Sequence, residues 1–369
     1  MFQPKELIEE YQKLNPGEAR LSGIREAIRQ ADLANDSSYM LYFRCAYANE
    51  CSEDENGSFL FHLYLIFPEL LALYEENPGI RLPGSSHEAA SEAVMDIFSE
   101  MVCCADFFYQ IPIGDMEKYL EKYKEFCLMH GYPLYNYYIA SARLYWQAGS
   151  KEQVMQYVKD FKALRRADHY RDSYTLDFIG EVACWYDDIE TLEKTTKLLE
   201  KHFPQNQRLA YEYGRLLYCY AVRRRDPVHA APYYRLLRQI CKKYRMHTPY
   251  FSDTIVYLVQ TDLNSAWSFF QKEAPHEVLG TTPLYKMEFS IGAEIMMRSL
   301  LKQGKETVRL SLPGSQPWQR EDAHYQTKEL AEYFGREARE ISDKFDMRNG
   351  DPSCRKEYEM FLWAVEGCI

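Results

Sequence analysis

The sequence predicts an all-α chain, built as an α-solenoid of antiparallel helical hairpins. Three observations predict it. Apolar residues recur at helical spacing along nearly all of the 369 residues. No stretch alternates convincingly as a strand does. Between 135 and 244, three successive helix–turn–helix units each carry a small residue where the paired helices would touch. These are Ala142, Gly180 and Gly214, spaced by 38 and then 34 positions. Spacing in that range marks stacked helical arrays, in which each unit hides its apolar side against its neighbours.

The elements follow in order. A first helix is predicted over 4–14, with Pro4 in its first turn, and Asn15-Pro16-Gly17 breaks it. A second spans 18–33, and Asp36-Ser37-Ser38 offers the N-cap of a third over 39–51. An acidic loop over 52–58 leads to a strongly apolar helix over 59–76 that Pro68 should kink. Helices over 86–110 and 113–130 follow, the latter stopped by Gly131. The central hairpins pair 135–148 with 151–166, 173–186 with 189–203, and 207–224 with 227–244. A fourth pairs 250–260 with 264–274. A helix over 284–302 precedes a polar loop over 304–317, in which 307–312 is read as extended loop. A long helix over 320–347 ends at Asn349-Gly350, and a last one covers 353–366. The division expected is an N-terminal helical segment 1–36, a repeat array 37–275 and a C-terminal helical region 276–369.

Composition narrows the function. The hydrophobic share of 46% and charged share of 27% fit a folded globular chain. Tyrosine, at 31 residues against 19 phenylalanines, suits broad half-buried faces. A net charge of −11 disfavours generic attraction to nucleic acid or anionic membrane. The longest apolar run, 59–73, is interrupted by His62, Pro68 and Glu69 and is too short to span a bilayer. Residues 1–10 carry acids early and lack an apolar core, so no signal peptide is expected. Ten scattered cysteines read as reduced, small core residues. The cytoplasm is the expected location.

The hairpins resemble the tetratricopeptide repeat, whose pattern W-x2-L-G-x2-Y, then A-x3-F, then P recurs over about 34 residues. The second central unit gives Leu176-x2-Ile179-Gly180-x2-Ala183, Leu192-x3-Thr196 and Pro204. The first gives Tyr138-x2-Ser141-Ala142-x2-Tyr145 and Val154-x3-Val158. The third gives Ala210-x2-Tyr213-Gly214-x2-Leu217, then four extra residues before Ala230-x3-Tyr234. The fourth gives Tyr250-x2-Asp253-Thr254-x2-Tyr257 and Ala266-x3-Phe270. Thr254, Val154, Leu192 and Arg166 depart from the pattern. The resemblance implies a concave groove lined by the first helix of each pair. Its groove positions fall on Asn136, Arg143 and Trp146; on Tyr174, Asp177, Glu181 and Trp185; and on Arg208, Tyr211, Arg215 and Tyr218. Arginine, aromatic and carboxylate side chains are the types that anchor contacts. The three arginines suggest a ligand bearing carboxylates or phosphates.

Other chemistry finds little support. Arg223-Arg224-Arg225, close to Lys242-Lys243, reads as a solvated helix end. Cys103-Cys104 with Cys127-x2-His130 falls short of a closed four-ligand zinc site and reads as core. There is no HExxH, G-x-S-x-G or phosphate loop, and His169 and Asp172 are assigned no role. No cofactor is expected. The expected function is a non-enzymatic scaffold or adaptor that holds a protein or peptide ligand. Its rivals are a helical-array enzyme, acting in the concave pocket or at the 304–317 loop, and an RNA-binding repeat protein, which the acidic charge disfavours.

Overall fold

The computed structural model describes residues 2–53, 57, 59–83, 90–164, 173–246, 249–313 and 318–369. Several sequence expectations lie outside the described residues: positions 86–89 and 165–166 of two predicted helices, His169, Asp172, and 314–317 of the polar loop. The described chain is all-α apart from one small ribbon, and it divides into two compact units, Met1–Leu164 and Arg165–Ile369. The boundaries expected at 36 and 275 both fall inside a unit.

The first unit runs α1 (Pro4–Gln12), α2 (Glu18–Ala34), α3 (Ser37–Ser52), α4 (Leu60–Glu76), α5 (Ala90–Cys104), α6 (Ile113–His130), α7 (Tyr135–Gln147) and α8 (Lys151–Leu164). Each helix packs on the next, and α3, α5 and α7 also touch in succession. The first 34 residues therefore belong to the stack. Gly17 N donates to Glu50 Oε1 at 2.8 Å, and Arg20 pairs with the same carboxylate at 3.2 Å. Asp36 caps α3 by accepting from the Tyr39 amide, and Gly131 ends α6 in the left-handed region at φ 73°. α4 continues through Pro68. Buried aromatics fill the centre: Phe67 lies 4.4 Å from Phe98, which lies 5.1 Å from Tyr123.

The second unit runs α9 (Ser173–Trp185), α10 (Ile189–His202), α11 (Leu209–Leu217), a π-helix (Tyr218–Arg223), α12 (Pro227–Tyr244), α13 (Phe251–Thr261), α14 (Leu263–Glu277) and α15 (Pro283–Lys302). After these come β1 (Thr307–Arg309), β2 (His324–Gln326), α16 (Thr327–Asn349) and α17 (Ser353–Ala364). α9, α11 and α13 each pair with the helix that follows, and α9, α11, α13 and α15 also pack on one another in that order. Side chains of Asp188, Asp226, Asp262 and Thr282 cap α10, α12, α14 and α15. α16 lies along α15, and α17 packs on α16, on α15 and on the π-helix.

Two expectations are corrected. Residues 307–309 form a strand rather than a loop, paired antiparallel so that Val308 faces Tyr325. Only that central pair is buried, and three residues are too few to display a period of two. The following helix starts at Thr327 instead of 320, because His324–Gln326 is taken by the ribbon. Trp318 packs on Tyr325 at 5.7 Å and on Phe334 at 5.3 Å, tying the ribbon to α16.

The small residues are buried, but the expectation about what they touch is corrected: Gly180 and Gly214 make their closest approach to the next hairpin and not to the paired helix. Ala142 is fully buried. A Cβ on Gly180 would strike the Glu212 carboxylate, and one on Gly214 would strike the Tyr250 ring, both well inside van der Waals contact. Gly214→Ala is expected to cost about 1–3 kcal/mol, read by chemical denaturation. A loss below about half a kcal/mol, the range of an ordinary surface change, would mean that Tyr250 is free to step aside.

Candidate functional site

The site is built on two helical stripes of the second unit. Tyr174, Asp177, Glu181 and Trp185 recur every three or four residues along α9, so they share one side of it. Arg208, Tyr211, Arg215 and Tyr218 do the same from the residue before α11 into the π-helix. Glycine at positions 180 and 214 lets these helices approach closely, and the stripes meet.

Their meeting point is a buried ion cluster. Arg215 Nη1 donates to Asp177 Oδ1 at 2.6 Å, to the Asp177 carbonyl at 3.2 Å and to Glu212 Oε1 at 2.5 Å. Its Nη2 lies 4.0 Å from Glu181 Oε2. Arg208 holds the other Asp177 oxygen and stacks 3.6 Å over the Tyr174 ring. Burial pushes the Asp177 carboxyl up, but the Arg215 and Arg208 guanidiniums outweigh it and hold the group below its usual range. Glu212 is fully enclosed above Gly180, where it accepts from Thr196 Oγ1 at 3.2 Å. Burial pushes its carboxyl up to about 7, against the pull of Arg215. The outer rings stay open: Tyr174 is 63% exposed and Tyr211 43%. Trp185 is half-buried against Phe178.

Tyr218 is buried and faces α17. Its hydroxyl donates to Glu357 Oε1 at 3.0 Å, and its ring lies 6.0 Å from Phe361. The Arg223–Arg225 helix end is solvated at Arg224 and Arg225, whereas Arg223 is half-buried. Arg223 donates to the Cys184 carbonyl at 2.5 Å and lies 4.8 Å over the Tyr218 ring. Arg224 grips Asp187 with two bonds at 2.7 and 2.9 Å. Arg225 donates to the Glu366 carbonyl at 2.7 Å. The Cys184 and Cys219 sulfurs lie 3.7 Å apart between them.

Beyond the expected residues, the strip continues through Tyr250 and Asp253 at the start of α13, Glu288 on α15 and Glu357 on α17. Sequence reasoning missed these. One signal was present: Asp253 stands where the repeat pattern puts leucine. Glu277, at the end of α14, completes the group. Glu288 is accessible to solvent, yet desolvation and then the Glu357 charge push its carboxyl up to about 7. Glu277 is pushed to about 8 by burial and then by Glu288 and Glu273.

The first unit carries the three remaining residues. Asn136 Nδ2 donates to Ser99 Oγ at 2.5 Å. Arg143 is half-buried and borders a small pocket with Tyr64, Cys103, Asp106 and Tyr119. Trp146 is half-buried. Among the described residues, no cluster of His, Cys, Asp and Glu has a metal-holding arrangement, and no helix is long and apolar enough to cross a membrane. No protein-family model matches the chain, and no curated protein or solved structure is significantly similar to it.

Two outcomes are expected. Arg215→Met leaves Glu212 buried without its cation and Asp177 with Arg208 alone, and should cost about 3–5 kcal/mol in urea unfolding. Glu277 and Glu288 have folded values above their unfolded ones, so the folded state binds protons more tightly and stability falls as pH rises between the two. Melting temperature should fall from about pH 5 to about pH 8, and Glu288→Gln should flatten that fall and raise the melting temperature at pH 8 by about 2–4 °C. An unchanged pH profile in the variant would remove Glu288 from the account.

Proposed function

We propose that the protein is a non-enzymatic adaptor of the cytoplasm, a superhelix of hairpins similar to the tetratricopeptide repeat, which holds a peptide or tail of a partner protein. The segment lies along the strip made by α9, α11, α13 and α15 in the second unit. One observation carries the reading. Open rings on α9 and α11 and an accessible carboxylate on α15 stand on helices that pack in succession through α13, over a floor that the Arg215 cluster fixes. Rigid aromatic anchors beside fixed polar groups bind with little ordering cost. Arg208 is paired with Asp177, and Arg215 with Asp177 and Glu212, so their part is to shape the strip. The contacts left for a ligand are the outer rings of Tyr174 and Tyr211 and the acids of the recess.

The test is a random-peptide display selection on the purified full-length chain, with recovered peptides measured by fluorescence anisotropy. Convergent sequences are expected, and Tyr174→Ala with Tyr211→Ala should weaken them about tenfold. Failure of the selected sequences to converge would overturn the reading, as would binding indifferent to both tyrosines and to the recess acids.

A further inference from the structure

We infer that the recess formed by Asp253, Glu277, Glu288 and Glu357 is a cation-binding subsite that takes a lysine or arginine side chain of a bound peptide. The inference rests on the peptide-binding reading and names the chemistry of its ligand.

Asp253, Glu288 and Glu357 are electrostatic neighbours of one another, and Glu277 is a neighbour of Glu288. Asp253 lies on α13, Glu277 on α14, Glu288 on α15 and Glu357 on α17. Ser252 Oγ donates to the Glu288 carbonyl, which fastens the α13 end to α15 next to Asp253. A Cβ on Gly292 would meet Phe251 and the Ser252 hydroxyl at 2.9–3.0 Å, so glycine there permits the same approach. Glu357 is fixed from the other side by the Tyr218 hydroxyl. Among the described residues, no lysine, arginine or histidine forms an ion pair with any of the four carboxylates. The nearby acid Glu273 differs: it holds Lys272 at 2.6 Å and Arg238 at 3.3 Å.

A second observation is independent of charge counting. Asp253 is 5% exposed, and its Oδ1 is buried with no hydrogen-bond partner among the described residues. Its charged neighbours are Glu288 and Glu357. A buried acceptor facing two further acceptors lacks a donor, and leaving a polar atom so costs the full desolvation of that group. An alkylammonium or a guanidinium supplies several donors and positive charge together. Tyr218 and Tyr250 stand beside the acids, and aromatic walls suit the apolar stem of lysine or the flat face of arginine. Burial first, and the neighbouring carboxylates second, push the Asp253, Glu277 and Glu288 carboxyls up, and an incoming cation relieves the second of these.

The experiment titrates fluorescein-labelled hexalysine into the full chain and follows anisotropy, with hexaglutamate as control and spermidine as competitor. Because the chain carries −11 overall, non-specific attraction must be separated. The double variant Asp253→Asn/Glu288→Gln is therefore compared with Glu152→Gln/Glu190→Gln, which removes the same charge from exposed helix surfaces. Hexalysine affinity should fall at least tenfold in the recess variant and stay within about twofold in the surface variant. The recess variant should melt no lower than the parent at pH 8, which separates lost binding from lost folding. Spermidine that competes as well as free hexalysine would assign the subsite to a free polyamine and overturn the peptide side chain as its occupant. Equal weakening in both variants, or no hexalysine binding, overturns the inference altogether. Display selection that converges on sequences without lysine or arginine also overturns it, and leaves peptide binding standing.

Discussion

The second unit depends on one buried guanidinium. Arg215 reaches across from α11 and takes Asp177 of α9 and Glu212 of its own helix together. The arrangement needs room for the Glu212 carboxylate against the α9 backbone, and Gly180 provides it. A helix crossing usually closes with apolar side chains around a small residue. Here the space over the small residue holds a charged group, so the spacing of α9 and α11 is set by polar geometry. Desolvation offsets most of the Coulomb gain in such a cluster. Its physical consequence is register: sliding α11 by one turn would strand Glu212 in apolar surroundings and leave Asp177 without its cation.

The extra residues of the third hairpin have a similar logic. A helix that must keep its partner can absorb an insertion as wider π-turns rather than as a break. Tyr218–Arg223 does so. The widened segment turns Tyr218 toward Glu357 and Phe361, and it sends Arg223, Arg224 and Arg225 to Cys184, Asp187 and Glu366. Three adjacent cations thus fasten α9's end, the turn after it and the end of the chain. α17 is held over the π-helix as a result, and its Glu357 is delivered to the recess.

The fold class was legible because each helix shows its own period, and because Gly, Pro and Asp mark so many ends. Asp36, Gly131 and Gly350 act where their chemistry placed them. The ribbon was not legible: Val308 and Tyr325 are single buried residues fifteen or more positions apart. The stripes on α9 and α11 were legible from repeat register, whereas the partners that neutralise them were not. Glu212 sits between Tyr211 and Tyr213 in sequence and resembles any solvent-facing acid of a helix. Only the close approach at Gly180 makes it a buried one. The π-helix was invisible for another reason. An insertion of four residues shows that something must yield, without showing whether a loop lengthens or a helix widens.

The acids of the second unit fall into two groups, and the contrast bears on what the strip is for. Asp177 and Glu212 are matched with Arg215, and Glu273 with Lys272 and Arg238. Asp253 is buried, Glu277 half-buried, and Glu288 and Glu357 exposed, and among the described residues no cation pairs with any of them. The chain therefore neutralises buried acids where it needs a fixed floor and leaves them open where the strip is accessible. An acid without a cation raises the free energy of the empty protein, either as a charge or by being kept protonated above its usual range, and glutamine at the same positions would keep the shape without that cost. Local violations of this kind persist in natural proteins chiefly where a site is made to meet something outside the chain. On that argument the matched cluster gives the strip its rigidity and the unmatched one gives it its ligand, and both come from the close packing that the small residues of alternate helices allow.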